Sequence, residues 1–350
     1  MRSAMHFPIF KQAISGRGAI ACTIGAVLLL LLALGATSQY LLTTREREQY
    51  PTPGQLVSVG THRLHLHCQG SGKPLVLLES GLSGWSQDWA LVQPELARHT
   101  QVCSYDRAGY AWSDEVPQPR TGLLAVEDLR TLLHNASLSG PMVVVGHSWG
   151  GMLAQMLAQS HPDEVAGLVL VDALHHDQAV MVDTESYARY NRNMRLLTGS
   201  ATWLAPLGVN RLMQLPASVI VDKLPAAERA SAHAFALQSK NFRTLHTEYV
   251  GIDPALEVAR NLPAMRRIPT RVLSTHAVRD FPPGWDSPVM RHYWALEQDA
   301  LARDLGAKHL VVPEAGHYLQ LERPELVVQA VVEVLQSIDA QPPAKIKPHP

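Results

Sequence analysis

The chain has 350 residues, a formal charge of −1, 46% hydrophobic and 17% charged residues. That is enough to bury one large core, with room for an insertion. The even charge balance lacks the basic footprint of a nucleic-acid binder. The 17 histidines and three cysteines form no H-E-x-x-H and no Cys/His ligand spacing, so neither a metal nor another cofactor is expected.

The first predicted element is apolar. Residues 18–44 carry no charge, and their centre, 19–36, includes five consecutive leucines at 28–32. About twenty apolar residues cross a bilayer, whereas a cleaved signal peptide has an apolar region of about 7–15. The stretch therefore reads as an uncleaved transmembrane signal-anchor. A small-x-small site at Ala33-Leu34-Gly35 keeps secretion after cleavage as the alternative. Arg2, Lys11 and Arg17 precede the span, while Arg45 and Arg47 follow it and are offset by Glu46 and Glu48. The positive-inside rule places residues 1–17 in the cytoplasm and the rest of the chain on the extracytoplasmic side. Residues 45–54, with Pro51 and Pro53, read as a linker.

Residues 55–172 then show short β-type runs alternating with helical periodicity. A strand at 56–59 is followed by the alternating run 62–68. Leu64, Leu66 and Cys68 fall on one face, and Arg63, His65 and His67 on the other, which reads as solvated rather than metal-binding. The run P-L-V-L-L-E at 74–79 is a buried strand leading into Ser80-Gly81-Leu82. Residues 88–99 read as a helix and 101–105 as a strand. Asp106-Arg107-Ala108-Gly109 follows, its Asp and Arg suited to tying loops together. Residues 121–136 form an amphipathic helix with Leu124, Leu129, Leu132 and Leu133 as its buried face.

Residues 143–151 read V-V-V-G-H-S-W-G-G, and a run of helix formers follows. A buried strand, a sharp turn with Ser148 at its apex and a helix make the G-x-S-x-G nucleophile elbow in its required context. Gly146 and Gly150 leave room where a strained serine backbone crowds its neighbours. The following helix aims its N-terminal N–H groups at the same point. Beyond it, 165–171 is a buried strand ending at Asp172. Residues 173–267 are helical and irregular and read as a lid, with Met181, Tyr187, Tyr190, Met194, Trp203, Met213 and Phe235 as candidate cavity linings. The core resumes with a strand at 268–274, a helix at 289–306 and a last strand at 309–312. Gly316-His317 and a closing helix at 324–338 follow, and the proline-rich tail 341–350 reads as disordered.

The elbow, the D-R-x-G segment at 106–109 and the Gly316-His317 pair, in that order, resemble the α/β-hydrolase superfamily in its serine-nucleophile, esterase/lipase-like branch. The resemblance runs over roughly 55–338. It implies an α/β-hydrolase fold: a mostly parallel sheet flanked by helices, formed from 55–172 and 268–340, with a helical lid inserted at 173–267. It implies Ser148 as nucleophile, His317 as general base, and the backbone N–H groups of Leu82 and Trp149 as the oxyanion hole. For the triad acid two positions compete. Asp280 follows the 268–274 strand without the usual G-x-x-D, and Asp172 ends the strand beside the elbow; Asp172 is preferred. Superfamily members that open epoxides or displace halide use a carboxylate at the elbow, so Ser148 points to a small or medium carboxylic ester and an acyl-enzyme. An aminopeptidase or amidase is the alternative within the class, and a non-catalytic binding protein on this scaffold is the alternative outside it. In the superfamily sheet the strands holding Cys68 and Cys103 are antiparallel neighbours. The two cysteines are therefore expected to form a disulfide, with two reduced core thiols as the alternative.

Overall fold

The computed structural model describes residues 16–116, 121–138, 140–182, 184–218, 220–275 and 288–340. Among these, eight strands build one sheet: β1 (Gln55–Ser58), β2 (Arg63–Gln69), β3 (Leu75–Glu79), β4 (Val102–Tyr105), β5 (Met142–His147), β6 (Val165–Val171), β7 (Thr270–Ser274) and β8 (Lys308–Val311). Their order is β1-β2-β4-β3-β5-β6-β7-β8. β2 is antiparallel to both β1 and β4, and every other pairing is parallel. β3 and β5 are buried along their whole length, because helices cover both faces of a parallel sheet.

The helices are α1 (Gly16–Gln49), α2 (Gln93–Leu96), α3 (Gly122–Asn135), α4 (Trp149–Ser160), α5 (Gln178–Met181) and α6 (Thr184–Leu204), then α7 (Val209–Leu212), α8 (Ala226–Ala236), α9 (Ser239–Asn261), α10 (Pro288–Leu305), α11 (Leu319–Glu322) and α12 (Pro324–Asp339). One core joins the sheet to α3, α4 and α10 through residues such as Leu129, Met152 and Leu301. A second joins its other face to α2, α11 and α12 through Leu96, Leu319 and Val331. Helices α5 to α9 lie between β6 and β7 in sequence, where the irregular helical pattern begins and ends.

Several local expectations are corrected. The Thr121 hydroxyl caps α3 by accepting the Leu124 N–H at 3.2 Å. Leu124 itself is exposed, and Ala125, Leu129, Leu132 and Leu133 form the buried stripe at helical spacing. The helix expected at 88–99 is a 3₁₀ turn (Ser86–Trp89) followed by the short α2. His65 is fully buried rather than solvated. Its Nδ1 lies 2.9 Å from Asp106 Oδ2 and its Nε2 2.6 Å from the Pro53 carbonyl. Residues 50–53 and Trp112 fold over that face of β2, so both faces are covered.

The expected linker is also partly helical: α1 continues to Gln49. Its uncharged part is apolar and long enough to cross a membrane, while its second half docks on the helices between β6 and β7. In the sheet, Cys68 stands opposite Cys103, and their sulfurs are bonded with a Cα separation of 4.1 Å. The tail 341–350, residues 1–15 and Asp280 lie outside the described residues.

Candidate active site

Ser148 stands between β5 and α4 with φ +51° and ψ −121°, a conformation that a non-glycine residue adopts only under local constraint. The constraint is visible around it. Ser148 N–H donates to Val171 O at 3.0 Å, and Ser148 O accepts from Gly151 N and Leu174 N at 3.0 and 3.2 Å. A Cβ on Gly146 would stand 2.6 Å from the Gly151 Cα. A Cβ on Gly150 would collide with the carbonyls of Glu79 and Ser80. Both glycines are therefore fixed by close backbone approach: one lets the elbow close on itself, the other lets it close on the loop after β3.

Asp172 ends β6, the strand next to β5, and is fully buried with φ +45°. Its Oδ2 lies 2.7 Å from His317 Nδ1. Its Oδ1 accepts the Thr275 backbone N–H at 3.1 Å and the Trp294 indole N–H at 2.9 Å. Both oxygens are thus held, which fixes the orientation of the imidazole. The structure brings Ser148 and His317 to one cavity wall, with Asp172 buried behind the His317 ring at the end of the neighbouring strand.

His147 is a contributor the sequence did not single out. Its ring packs on His317, with centroids 4.5 Å apart, and its Nε2 donates to the His317 carbonyl at 2.9 Å. Burial, and then the neighbouring His317, hold its pKa well below the ordinary histidine value. It is a neutral donor that anchors the His317 loop, and its adjacency to the elbow was the only signal for it. Glu297 is another. Burial, with the nearby Asp172 adding to it, pushes its pKa well up, and its Oε2 accepts from Gln178 at 3.2 Å.

The loop after β3 carries Leu82, and α4 opens on Trp149, whose N–H is one of the helix's first, unpaired donors. Both residues line the same cavity as Ser148 and His317. Arg107 fixes that loop: its Nη1 donates to Ser80 O at 2.6 Å and to Glu79 Oε1 at 2.7 Å, and its Nη2 donates to Gly81 O at 2.7 Å. Through Nε and Nη2 it also holds Glu248 of α9, at 2.7 and 3.0 Å. Tyr110 adds a 2.9 Å bond to the same carboxylate.

The cavity measures about 490 Å³ and is mostly apolar, within the size range of small-molecule sites. Of the aromatic and sulfur side chains expected to line it, Tyr187, Tyr190 and Met194 do so. Trp203 and Met213 point outward instead, 81% and 61% exposed, and Phe235 packs on Trp112 away from the site. Helix α6 turns different faces inward and outward, and residue type alone does not say which.

A family model described as the alpha/beta hydrolase fold matches residues 74–218. An uncharacterized protein of Schizosaccharomyces pombe is 32% identical over 193 residues, covering 46% of this chain and 34% of that protein. This chain therefore spans about a third of that relative's length. A thermophilic esterase from Thermogutta terrifontis superposes with a TM-score of 0.60 at 23% identity, covering 81% of this chain and 98% of the esterase. A laboratory-evolved potato epoxide hydrolase gives a TM-score of 0.64 at 19% identity over the same shares. The sheet order, the strained elbow and the residues gathered at its edge are those of a hydrolase-type α/β protein. The chain has the α/β-hydrolase fold, and residues 74–218 match that family's model.

Proposed function

We propose that this chain is a serine hydrolase of carboxylic esters, acting through an acyl-enzyme on Ser148. His317 takes the Ser148 proton, returns it to the leaving alcohol, and then activates water to release the acid. Asp172 holds the imidazole tautomer and stabilises the imidazolium. The N–H groups of Leu82 and Trp149 receive the developing oxyanion. The helices between β6 and β7 act as a lid, and α1 is a membrane anchor with the catalytic domain on the extracytoplasmic side. The Cys68–Cys103 bond supports that side, since disulfides persist in oxidising compartments.

The observation that carries the reading is Ser148, held in a left-handed turn on the wall of an apolar cavity that it shares with the Asp172-paired His317. A serine at this position supports acyl transfer over the epoxide opening of some structural neighbours. A fluorophosphonate probe with a matched ester and amide panel tests it. Wild type should label and turn over esters. Ser148→Ala should do neither, and His317→Ala should lose about 10⁴–10⁶ in kcat with an unchanged fold. A fully active Ser148→Ala would refute the mechanism.

A further inference from the structure

The second half of α1 does not stand free. Gly35, Ala36, Gln39, Leu42, Thr43 and Glu46 form a covered stripe at helical spacing, while the residues between them are exposed. The stripe rests on the turn before α7. Gly35 touches the Leu207 carbonyl so closely that a Cβ there would collide with it. Gln39 Nε2 donates to Leu237 O at 2.9 Å, and Arg211 Nε donates to Gln39 Oε1 at 2.8 Å. Arg211 also holds Glu46, with Nη2 to Oε2 at 3.0 Å. The membrane helix is thereby joined to the helices that roof the cavity.

The joint leaves a length deficit. Residues 18–34 are the undocked part of the uncharged run, and at 1.5 Å per residue they reach about 25 Å. A hydrocarbon core is about 30 Å thick. The missing turn falls at the level of Gly35, beside Leu207 and Gly208. Around that turn the roof helices expose apolar side chains: Trp203 is 81%, Leu212 84% and Met213 61% accessible. Asn210 ties α7 to α6 by donating to Ala201 O at 2.9 Å, which holds together the segments that carry these side chains on either side of the turn against Gly35. The cavity reaches the surface of these same helices. Of the residues lining it, Leu197 and Leu215 are the exposed ones, at 55% and 51%, and they flank Ala201 and α7.

We propose that the edge formed by Trp203, Leu212 and Met213 is inserted in the bilayer, and that the substrate is a bilayer-resident amphiphilic ester whose acyl chain enters the cavity between Leu197 and Leu215. The substrate class rests on the ester-hydrolase reading, and the insertion does not. A deep apolar patch in continuity with a membrane helix buries area that water would otherwise face. An acyl chain entering from the lipid side passes from one apolar phase to another. The ester carbonyl then reaches Ser148 at the far wall without crossing water.

The test uses the full chain in nanodiscs. In brominated phosphatidylcholine, Trp203 emission, taken as the difference between wild type and Trp203→Phe, should be strongly quenched. Equal emission in brominated and plain lipid would overturn the insertion, as would a concentration-dependent dimer through this edge that leaves Trp203 shielded from bromine. Turnover is then read for Trp203→Ser/Leu212→Ser/Met213→Ser on a water-soluble butyrate ester and on a long-chain monoacylglycerol in the disc. Rates on the soluble ester should hold within about twofold while those on the embedded ester fall at least tenfold. A parallel loss on both, or no loss on either, overturns lipid-side entry. Failure of the wild type to cleave any ester would instead sink the hydrolase reading, with the quenching result still standing.

Discussion

Arg107 and Glu248 form a buried two-point ion pair, 2.7 and 3.0 Å, that joins the loop after β4 to helix α9. The same guanidinium grips the carbonyls of Ser80 and Gly81, the approach to the Leu82 N–H. One planar group therefore sets the loop proposed to carry the oxyanion donor Leu82 and clamps α9 to the core. Lysine cannot reproduce that fork, because its charge is a point with rotatable donors. The acids on either side are buried, so losing the fork leaves charge uncompensated, at about 3–5 kcal/mol where a partner is removed outright.

Arg107→Lys should therefore lower the melting temperature and reduce kcat by ten- to a hundredfold with a smaller change in KM, as expected when an oxyanion donor is displaced. Thermal unfolding and steady-state kinetics on one soluble ester read both. A variant that melts earlier but keeps wild-type kcat would confine Arg107 to stability.

The acid at Asp172 makes a separable prediction. With both oxygens engaged by His317, Thr275 and Trp294, Asp172→Asn keeps the shape but favours the wrong imidazole tautomer. A loss of about 10⁴ in kcat is expected. Trp294→Phe removes one donor to Asp172 and should cost less than tenfold. Asp280→Asn should cost less than tenfold as well. Large loss at Asp280 with little at Asp172 would move the acid to the other loop.

The parts of this site that are local in sequence were legible there. The elbow is a nine-residue run whose glycines answer a local backbone demand, and Gly316-His317 sits in an equally recognisable frame. The acid was not fixed in the same way, since both aspartates follow a core strand in sequence and only the packing of β6 against β5 and β7 brings Asp172 to the imidazole. Arg107 was read as a loop tie, but its partner Glu248 lies 141 positions away in the irregular helical region, and no spacing rule links them. His65 was misplaced because alternation assumes that one strand face meets water, and here a distant proline segment covers it. The docked stripe on α1 was hidden because its partners Leu207, Arg211 and Leu237 lie far along the chain in the irregular helical region, where no spacing rule links them.

Asp88 yields a prediction in pH. It is buried, and burial pushes its pKa up to about 8. The folded-state value lies above the unfolded one near 3.8, so the folded protein holds a proton that the unfolded chain releases. Stability from this group is complete below about pH 4 and is lost as pH rises to about 8, at about 1.4 kcal/mol per pH unit. Asp88→Asn removes the titration. Its melting temperature should fall less steeply than wild type between pH 5 and 8, and parallel curves would show that Asp88 ionises freely in the fold.

The covalent link between Cys68 and Cys103 joins the neighbouring antiparallel strands β2 and β4 across 35 positions of chain. Closing a loop of that length restricts the unfolded chain by roughly 4 kcal/mol in the chain-entropy model. Neither cysteine belongs to the site, so stability and catalysis should separate. Cys68→Ser/Cys103→Ser should melt well below wild type while keeping its kcat on a soluble ester at temperatures where it is folded. The bond also reports the compartment. Protein purified without reductant, with its free thiols blocked on denaturation, should show Cys22 alone as reactive among the three. Three reactive thiols would mean that the domain matures in a reducing compartment, and the proposed extracytoplasmic placement would have to be reversed even with the ester hydrolase reading intact.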